Sequence, residues 1–312
     1  MNERKPLLIC IVGPTAIGKS ALAIELAQVF ETEIISADSR QFFKEMTIGT
    51  AVPSDEELAA VPHHFIQNKS IFDEYSVGDF ERDAISLISG KFYPSNKNDK
   101  ALESLILVGG SGLYVDAVLY GLDDFPEVAP SIRKELNTDL DKYGIGYLQE
   151  KLKIADPEYY AKVDLQNPHR LIRALEVYAA TGKPFSFFAS RKPAIRDFET
   201  ILIGLDAKRE TIYNRINQRV DQMIAQGLLE EARGLYRHRQ LNALQTVGYR
   251  ELFSFFDGNL SLEEAVEEIK KDTRRFAKRQ NTWFKKNPAV HWFHYRTKSE
   301  AIVAFIKEKN AL

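Results

Sequence analysis

Gly13-Pro14-Thr15-Ala16-Ile17-Gly18-Lys19-Ser20 follows directly on the apolar run Leu7 to Val12 and completes a G-x-x-x-x-G-K-[ST] pattern. Such spacing serves anion binding. Glycines let backbone N–H groups turn toward a phosphate, the N-terminus of the following helix adds its dipole, and Lys19 supplies a point charge. Ser20 suits Mg²⁺ through its hydroxyl. The pattern sits where a strand ends and a helix begins, which is the context a phosphate cradle needs. It leaves the phosphate ester open, since kinases, ATPases, GTPases and diphosphate-leaving transferases could all use it.

Ligands of open α/β sheets gather at the carboxyl ends of the strands, so the tails of the other apolar runs are the next places to look. One is Ser36-Ala37-Asp38-Ser39-Arg40-Gln41. Asp38 there could be a general base, a magnesium ligand, or simply the cap of the next element. Another is Leu107-Val108-Gly109-Gly110-Ser111-Gly112-Leu113-Tyr114, where glycines stand in place of the acid that an ordinary NTPase carries after such a run. That omission weighs against ATP hydrolysis. The glycines suit close approach to a ligand, or a tight turn without one.

Basic residues are concentrated late in the chain. Lys271, Arg275, Lys278, Thr282 and Lys285 recur at helical spacing, with Phe276, Trp283 and Phe284 interleaved. The stripe suits phosphate contacts beside apolar packing, although a solvated helix face gives the same pattern. A second cluster, His169-Arg170-Leu171-Ile172-Arg173, follows Asn167-Pro168. His63-His64 and His291 with His294 lack the further ligands of a metal site and read as structural.

The elements that must position these groups alternate. Apolar β-rich runs at Leu7 to Val12, Glu33 to Ala37, Leu105 to Val108 and Thr200 to Leu205 are separated by helical patterns such as Ser20 to Phe30 and Val77 to Ser89, and His291 to Tyr295 could add a late strand. The expected fold is α/β, a P-loop NTPase-like doubly wound parallel sheet with a helical insertion domain. From about Val115 to Pro193 amphipathic helices alternate with turns such as Gly144-Ile145-Gly146, Asp156-Pro157 and Thr181-Gly182-Lys183-Pro184. The division is therefore a core of residues 1–115 and 200–312, ending in the helical stretches Arg209 to Gln226 and Ser261 to Lys286, and an insertion of residues 116–199. Pro94 to Lys100 reads as an exposed loop.

Composition narrows the class. The chain has 312 residues, 44% hydrophobic and 28% charged, which fits a folded enzyme and excludes a disordered chain. Its net charge of -2 argues against coating nucleic acid indiscriminately. No apolar run is long enough to span a bilayer, and the polar stretch Met1 to Pro6 leaves no room for a signal peptide, so a cytoplasmic location without membrane contact is expected. Cys10, the only cysteine, lies in the first strand and reads as a buried small hydrophobe.

In order along the chain, Gly13 to Ser20, Asp38-Ser39-Arg40-Gln41, Gly109 to Tyr114, Thr181 to Pro184, Val247-Gly248-Tyr249-Arg250-Glu251 and Lys278-Arg279-Gln280-Asn281-Thr282-Trp283 resemble the tRNA dimethylallyltransferases. The resemblance runs from about residue 7 to residue 287. It implies transfer of a dimethylallyl group from its diphosphate to N6 of adenosine 37, in tRNAs reading codons that begin with U. It also accounts for the missing acid, because the loop would hold a leaving diphosphate. It implies that Thr15, Lys19, Ser20 with Mg²⁺ and the loop amides stabilise that diphosphate, that Arg219 reaches it, and that Asp38 is the general base with Gln41 on the base edge. The C-terminal helices would bind tRNA. Contacts to the tRNA anticodon stem-loop would come from Asp38, Ser39, Arg40, Gln41, Ser111 and Arg133. Further contacts would come from His169-Arg170-Leu171-Ile172-Arg173, Gln245-Thr246-Val247-Gly248-Tyr249-Arg250 and Lys278-Arg279-Gln280-Asn281-Thr282-Trp283-Phe284-Lys285. Ser111 stands where the family usually has threonine, and Arg40-Gln41-Phe42-Phe43 replaces a commoner Met-Gln-Val-Tyr. The absence of the zinc-finger extension of eukaryotic relatives after Leu312 points to the bacterial type, and a monomer is expected.

Other functions share parts of this pattern. A nucleoside or nucleotide kinase would share the cradle, with ATP in it, but would need another acid and would leave the basic helix unexplained. An adenylate isopentenyltransferase would modify a free nucleotide, which the insertion and basic clusters disfavour. An RNA-binding module without catalysis has no use for Lys19, Ser20 and Asp38 together.

Overall fold

The structure is a computed structural model and describes residues 5–96, 98–189 and 193–311. The expectations that touch Met1 to Arg4, Lys97 and Ser190 to Lys192 fall outside the described residues. Six strands, β1 (Leu7–Val12), β2 (Ile34–Ser36), β3 (His63–His64), β4 (Ser104–Val108), β5 (Glu199–Asp206) and β6 (Val290–His294), pair in the order β3-β2-β4-β1-β5-β6. Every pairing is parallel. This is the doubly wound sheet that the alternation of apolar runs and helical patterns predicts.

β1 occupies the middle, with Leu7 opposite Ser104 on one side and Glu199 on the other. All six of its residues are buried, because a central parallel strand is covered on both faces. Alternation then divides them. Leu7, Ile9 and Ile11 pack with Leu22, Leu26, Ile212 and Ile302, while Leu8, Cys10 and Val12 pack with Phe80, Ile88, Val115 and Phe284. Burial pushes the Cys10 thiol well above its ordinary pKa, so it is a core atom without thiolate character.

The helices Lys19–Val29, Val77–Phe92, Arg209–Ala225 and Leu262–Phe284 lie close to their expected spans. Ser261 starts the last of these with a capping box, accepting from the Glu264 N–H while Glu264 accepts from the Ser261 N–H. β3 and the helix Asp55–Ala60 have no counterpart among the sequence patterns, since both are too short to show a period.

The chain divides into two compact units, one of residues up to Tyr120 together with those from Ile195 on, the other Gly121–Ala194. These boundaries differ from the expected 116 and 199. The whole helix Gly112–Tyr120 belongs with the sheet, burying Val115, Val118 and Leu119, and Arg196 donates to the carbonyls of Val118 and Ala117.

Within the second unit, the helices Pro130–Tyr143, Ile145–Ala155 and Pro168–Thr181 bury Leu136, Leu148, Leu152, Leu171, Ile172 and Leu175. Two carboxylates anchor it from inside. Glu176, 1% exposed, accepts from Arg133 Nε and Nη2 at 2.7 Å each and from Arg173 Nη1 at 2.6 Å. Asp156, also 1% exposed, caps the turn after it through Tyr159 N–H and holds Ser186 N–H and Oγ. Gly182, at φ 70, ends the helix Pro168–Thr181 in the left-handed conformation, which accounts for the glycine of the Thr181 to Pro184 turn.

Replacing Asp156 with alanine orphans two half-buried N–H groups and a hydroxyl, which should destabilise the insertion by roughly 1 to 3 kcal/mol. Hydrogen exchange at amides of the 168–181 helix is the check, and protection unchanged from wild type would refute an anchoring role.

Candidate active site

β1 ends in the loop 13–18, and the helix Lys19–Val29 begins directly after it. Gly13 takes φ +139, and a Cβ on it would lie 2.5 Å from the Leu205 carbonyl oxygen of β5, so glycine lets the loop leave the sheet close to its neighbour. Gly18, at φ +110, caps the helix. Lys19 Nζ folds back over the loop and donates to the carbonyls of Gly13 at 3.0 Å and Pro14 at 2.8 Å. Burial and, after it, the neighbouring Arg219 charge lower its pKa, with Asp38 opposing both, to about 7.

Two cavities meet at this loop. The inner one, of about 70 Å³, is lined by Thr15, Lys19, Ser20, Asp38, Gln41 and Arg219, among others. The outer one, of about 450 Å³, shares Lys19, Ser20 and Arg219 and adds Gly18, Arg215 and Gln218. Arg219 comes from the helix Arg209–Ala225 and places Nη1 3.5 Å from Thr15 Oγ1. Burial lowers its pKa, with Asp38 opposing. Thus residues separated by up to 204 positions line one crevice, with two cations facing a single carboxylate. Asp38 Oδ1 accepts from the Arg40 N–H at 3.0 Å, and among the described residues Oδ2 has no hydrogen-bond partner. A carboxylate with one oxygen fixed and the other unengaged can take a proton from a group entering the inner cavity.

The glycines at the β4 tail serve close packing. A Cβ on Gly109 would lie 2.4 Å from the Ala37 carbonyl oxygen, so the β2 and β4 tails abut just before Asp38. Ser111 Oγ accepts from the Ser39 N–H at 3.1 Å and bonds Ser39 Oγ at 3.2 Å, tying the same two tails. Gln41, expected on the base edge, is engaged within the protein: Oε1 accepts from Ser36 Oγ, and Nε2 donates to the Thr50 and Ala51 carbonyls. Arg40 turns away to the carbonyls of Asn242 and Ala243, at 3.1 Å each. Burial lowers its pKa.

Glu231 carries no motif and gives no sign in the sequence, yet it accepts from the N–H groups of Thr47, Ile48 and Gly49 and from Tyr249 Oη. It fixes the segment leading to Ala51, a residue lining both cavities. Tyr249 is fully buried against Gly49, so this member of the expected tRNA set is a structural post. In its neighbourhood Gln245 and Arg250 are exposed, Thr246 and Val247 half-buried, and Gly248 buried.

Along the helix Leu262–Phe284 and its end, Lys278, Arg279, Thr282, Trp283 and Lys285 are exposed, whereas Gln280 and Phe284 are buried and Asn281 is half-buried. Burial removes Gln280 and Phe284 from any contact with a large polyanion. In the insertion, His169 and Arg170 are exposed, Arg173 is half-buried, and Leu171 and Ile172 lie in the core. Leu171 and Ile172 are thus corrected to packing residues, and Arg133 has two nitrogens committed to Glu176.

No three His, Cys, Asp or Glu side chains cluster as a metal site among the described residues. His63 Nδ1 bonds the Val61 carbonyl and His64 Nε2 bonds Glu33 at 2.6 Å. Among the described residues, no helix is long and apolar enough to cross a membrane.

Comparison with known proteins places this geometry. The family model described as IPP transferase matches residues 41–287, beginning after the phosphate loop. A tRNA dimethylallyltransferase of Flavobacterium johnsoniae is 59% identical over 307 residues, covering 96% of this chain and 97% of that protein. One of Christiangramia forsetii is 60% identical over 302 residues, covering 97% and 98%. Among solved structures, a full-length tRNA isopentenylpyrophosphate transferase of Bacillus halodurans aligns with a TM-score of 0.71 at 38% identity, covering 98% of this chain and 97% of that one. A eukaryotic dimethylallyltransferase acting on tRNA aligns with a TM-score of 0.81 at 25% identity, covering 98% and 80%.

The state of Lys19 gives a pH test. Its folded pKa lies below the ordinary value, so between about pH 7 and 10 the unfolded chain holds the extra proton and stability from this group rises with pH. A bound diphosphate favours the charged form and draws a proton in. Calorimetry at pH 8.5 in two buffers of different ionisation enthalpy should show an uptake of about one proton per inorganic diphosphate bound, beyond that of Lys19→Arg. Equal uptake in the two proteins would mean that Lys19 is already charged.

Proposed function

This chain belongs to the IPP transferase family of tRNA dimethylallyltransferases, and we propose that its crevice transfers a dimethylallyl group from dimethylallyl diphosphate to N6 of adenosine 37 in tRNAs reading codons that begin with U. It is a prenyltransferase with tRNA as substrate. The observation that carries the assignment of roles is the inner cavity, where Asp38 shares a wall with Thr15, Lys19 and Arg219.

As the allylic C–O bond breaks, its electron pair goes to the departing diphosphate. Lys19, Arg219, Thr15 and the loop amides stabilise the growing charge, and losing one such donor costs roughly 3 to 4 kcal/mol. N6 attacks the allylic carbon. Its lone pair is delocalised into the adenine ring, so removal of its proton by Asp38 Oδ2 accelerates attack by roughly 10²- to 10⁴-fold. The products are N6-isopentenyladenosine and diphosphate. The adenine must leave the anticodon-loop stack to reach Asp38, and contacts along the exposed basic helix offset that cost of a few kcal/mol.

Mg²⁺ fits the donor present: the Ser20 hydroxyl offers a hard oxygen beside the loop. When bound it neutralises part of the leaving group's charge. Ser20 would hold it. The loop, the carboxylate and the basic helix all belong to one chain, and the working unit proposed is a monomer in the cytoplasm. The lack of an acid after β4 disfavours ATP as the reactant.

Incubating the protein, Mg²⁺ and dimethylallyl diphosphate with unmodified tRNA, then identifying nucleosides by mass spectrometry, should yield isopentenyladenosine at position 37. Unmodified tRNA beside phosphate transfer from ATP would return the kinase assignment. Asp38→Asn should keep tRNA affinity within about twofold and reduce turnover by roughly 10²- to 10⁴-fold. Exchanging Arg275, Lys278 and Arg279 for glutamine should lower tRNA affinity and flatten its salt dependence, by about 0.7 to 0.9 in log–log slope for each phosphate left without its cation, while diphosphate affinity is retained.

A further inference from the structure

Gln280 follows the exposed Arg279 on the helix Leu262–Phe284, yet it is only 6% exposed. Its Oε1 accepts the Thr15 N–H at 2.8 Å, and its Nε2 donates to the Gly110 carbonyl at 2.9 Å. A buried amide with both ends paired holds its partners in a single orientation. One partner is the phosphate loop, 265 positions away, and the other is the glycine tail of β4. Gly110 has no space for a side chain, because a Cβ would lie 2.1 Å from Gln280 Nε2 and 3.7 Å from Lys19 Nζ.

The neighbouring residues press the same helix edge onto the strand tails. Asn281 and Lys285 bond the two oxygens of Asp206 at the end of β5, at 3.3 and 2.7 Å. Trp283 Nε1 donates to Asp116 at 2.9 Å, and its indole covers Gly112. The other edge presents Arg275, Lys278, Arg279 and Thr282 toward solvent. One helix and one buried amide thus connect the exposed edge to the phosphate loop.

We propose that Gln280 is a positioning residue that couples tRNA docking on the exposed edge of this helix to diphosphate binding in the loop, by setting the orientation of Thr15 and of the Gly110 wall beside Lys19. It rests on the prenyl-transfer assignment and separates Gln280 from the RNA-contacting residues around it. Thr15 is the effective lever, since its side chain meets Arg219 on the opposite side of the crevice. Coupling of this kind is reciprocal: tRNA tightens diphosphate by the same factor by which diphosphate tightens tRNA.

The test measures the affinity of inorganic diphosphate with Mg²⁺, with and without tRNA, in wild type, Gln280→Met, Gly110→Ala and Arg279→Ala. Wild type should bind diphosphate several-fold more tightly with tRNA present. Gln280→Met should bind diphosphate about tenfold more weakly, bind tRNA alone within about twofold of wild type, and lose the mutual tightening. Gly110→Ala, which displaces the amide from its other end, should reproduce that pattern, and Arg279→Ala should invert it. Loss of tRNA affinity with diphosphate affinity retained in Gln280→Met would make Gln280 an RNA contact and overturn the proposal. So would unchanged affinities, or a joint loss of both in Gln280→Met and Gly110→Ala, the mark of packing alone. Prenyl transfer by wild type is assayed in parallel, so a failure of the assigned reaction is seen separately from a failure of coupling.

Discussion

Lys19 and Arg219 are held in one crevice against a single carboxylate, Asp38, with burial working against both cations. Desolvated charges of like sign disfavour each other, and the local imbalance is relieved by an anion. The crevice thus holds more buried positive charge than negative. The carbonyls of Gly13 and Pro14 accept from Lys19 Nζ and partly compensate its burial. Arg219 reaches Thr15, and Asp38 keeps one oxygen in a local turn. The loop carrying Lys19 leaves from β1, the strand buried along its whole length.

The groups around the crevice mostly hold backbone. Gln41 and Glu231 fix the segment from Thr47 to Ala51 from opposite ends, one through carbonyls and one through N–H groups. Arg40, the departure from the commoner methionine, braces the turn at Asn242 and Ala243, which leads into the Gln245 to Arg250 segment. Arg40 thus ties the Asp38 loop to the residues just before that segment. Ser111 keeps the hydroxyl of the usual threonine and uses it on Ser39.

The helix Leu262–Phe284 has one face on the core and one toward solvent. Its apolar and amide residues, Ala277, Gln280 and Phe284, face the core, while Arg275, Lys278 and Arg279 face water. A polyanion held by these cations meets a surface backed by the strand tails, so little conformational freedom is lost on docking.

The sequence alone determined what local chemistry and period can express. The phosphate loop was legible because its spacing and its strand-to-helix context are contiguous, and the sheet because buried parallel strands are continuous apolar runs. That Asp38, Lys19 and Ser20 line one cavity agrees with their places at strand tails. β3 escaped because two residues have no period. The division of the basic helix into exposed and buried members escaped because Gln280 reads as one more polar residue in a charged run. Its burial depends on Thr15 and Gly110, neither of them near in sequence. Leu171, Ile172 and Tyr249 sat inside RNA-like motifs for the same reason: a motif gives neighbours along the chain, while exposure depends on which face the packing covers. Glu231 carried no signal, since a carboxylate that caps a distant turn is indistinguishable in sequence from a solvated one. Only the tertiary structure could decide these, because the partner of each group lies far away along the chain and close by only in the folded state.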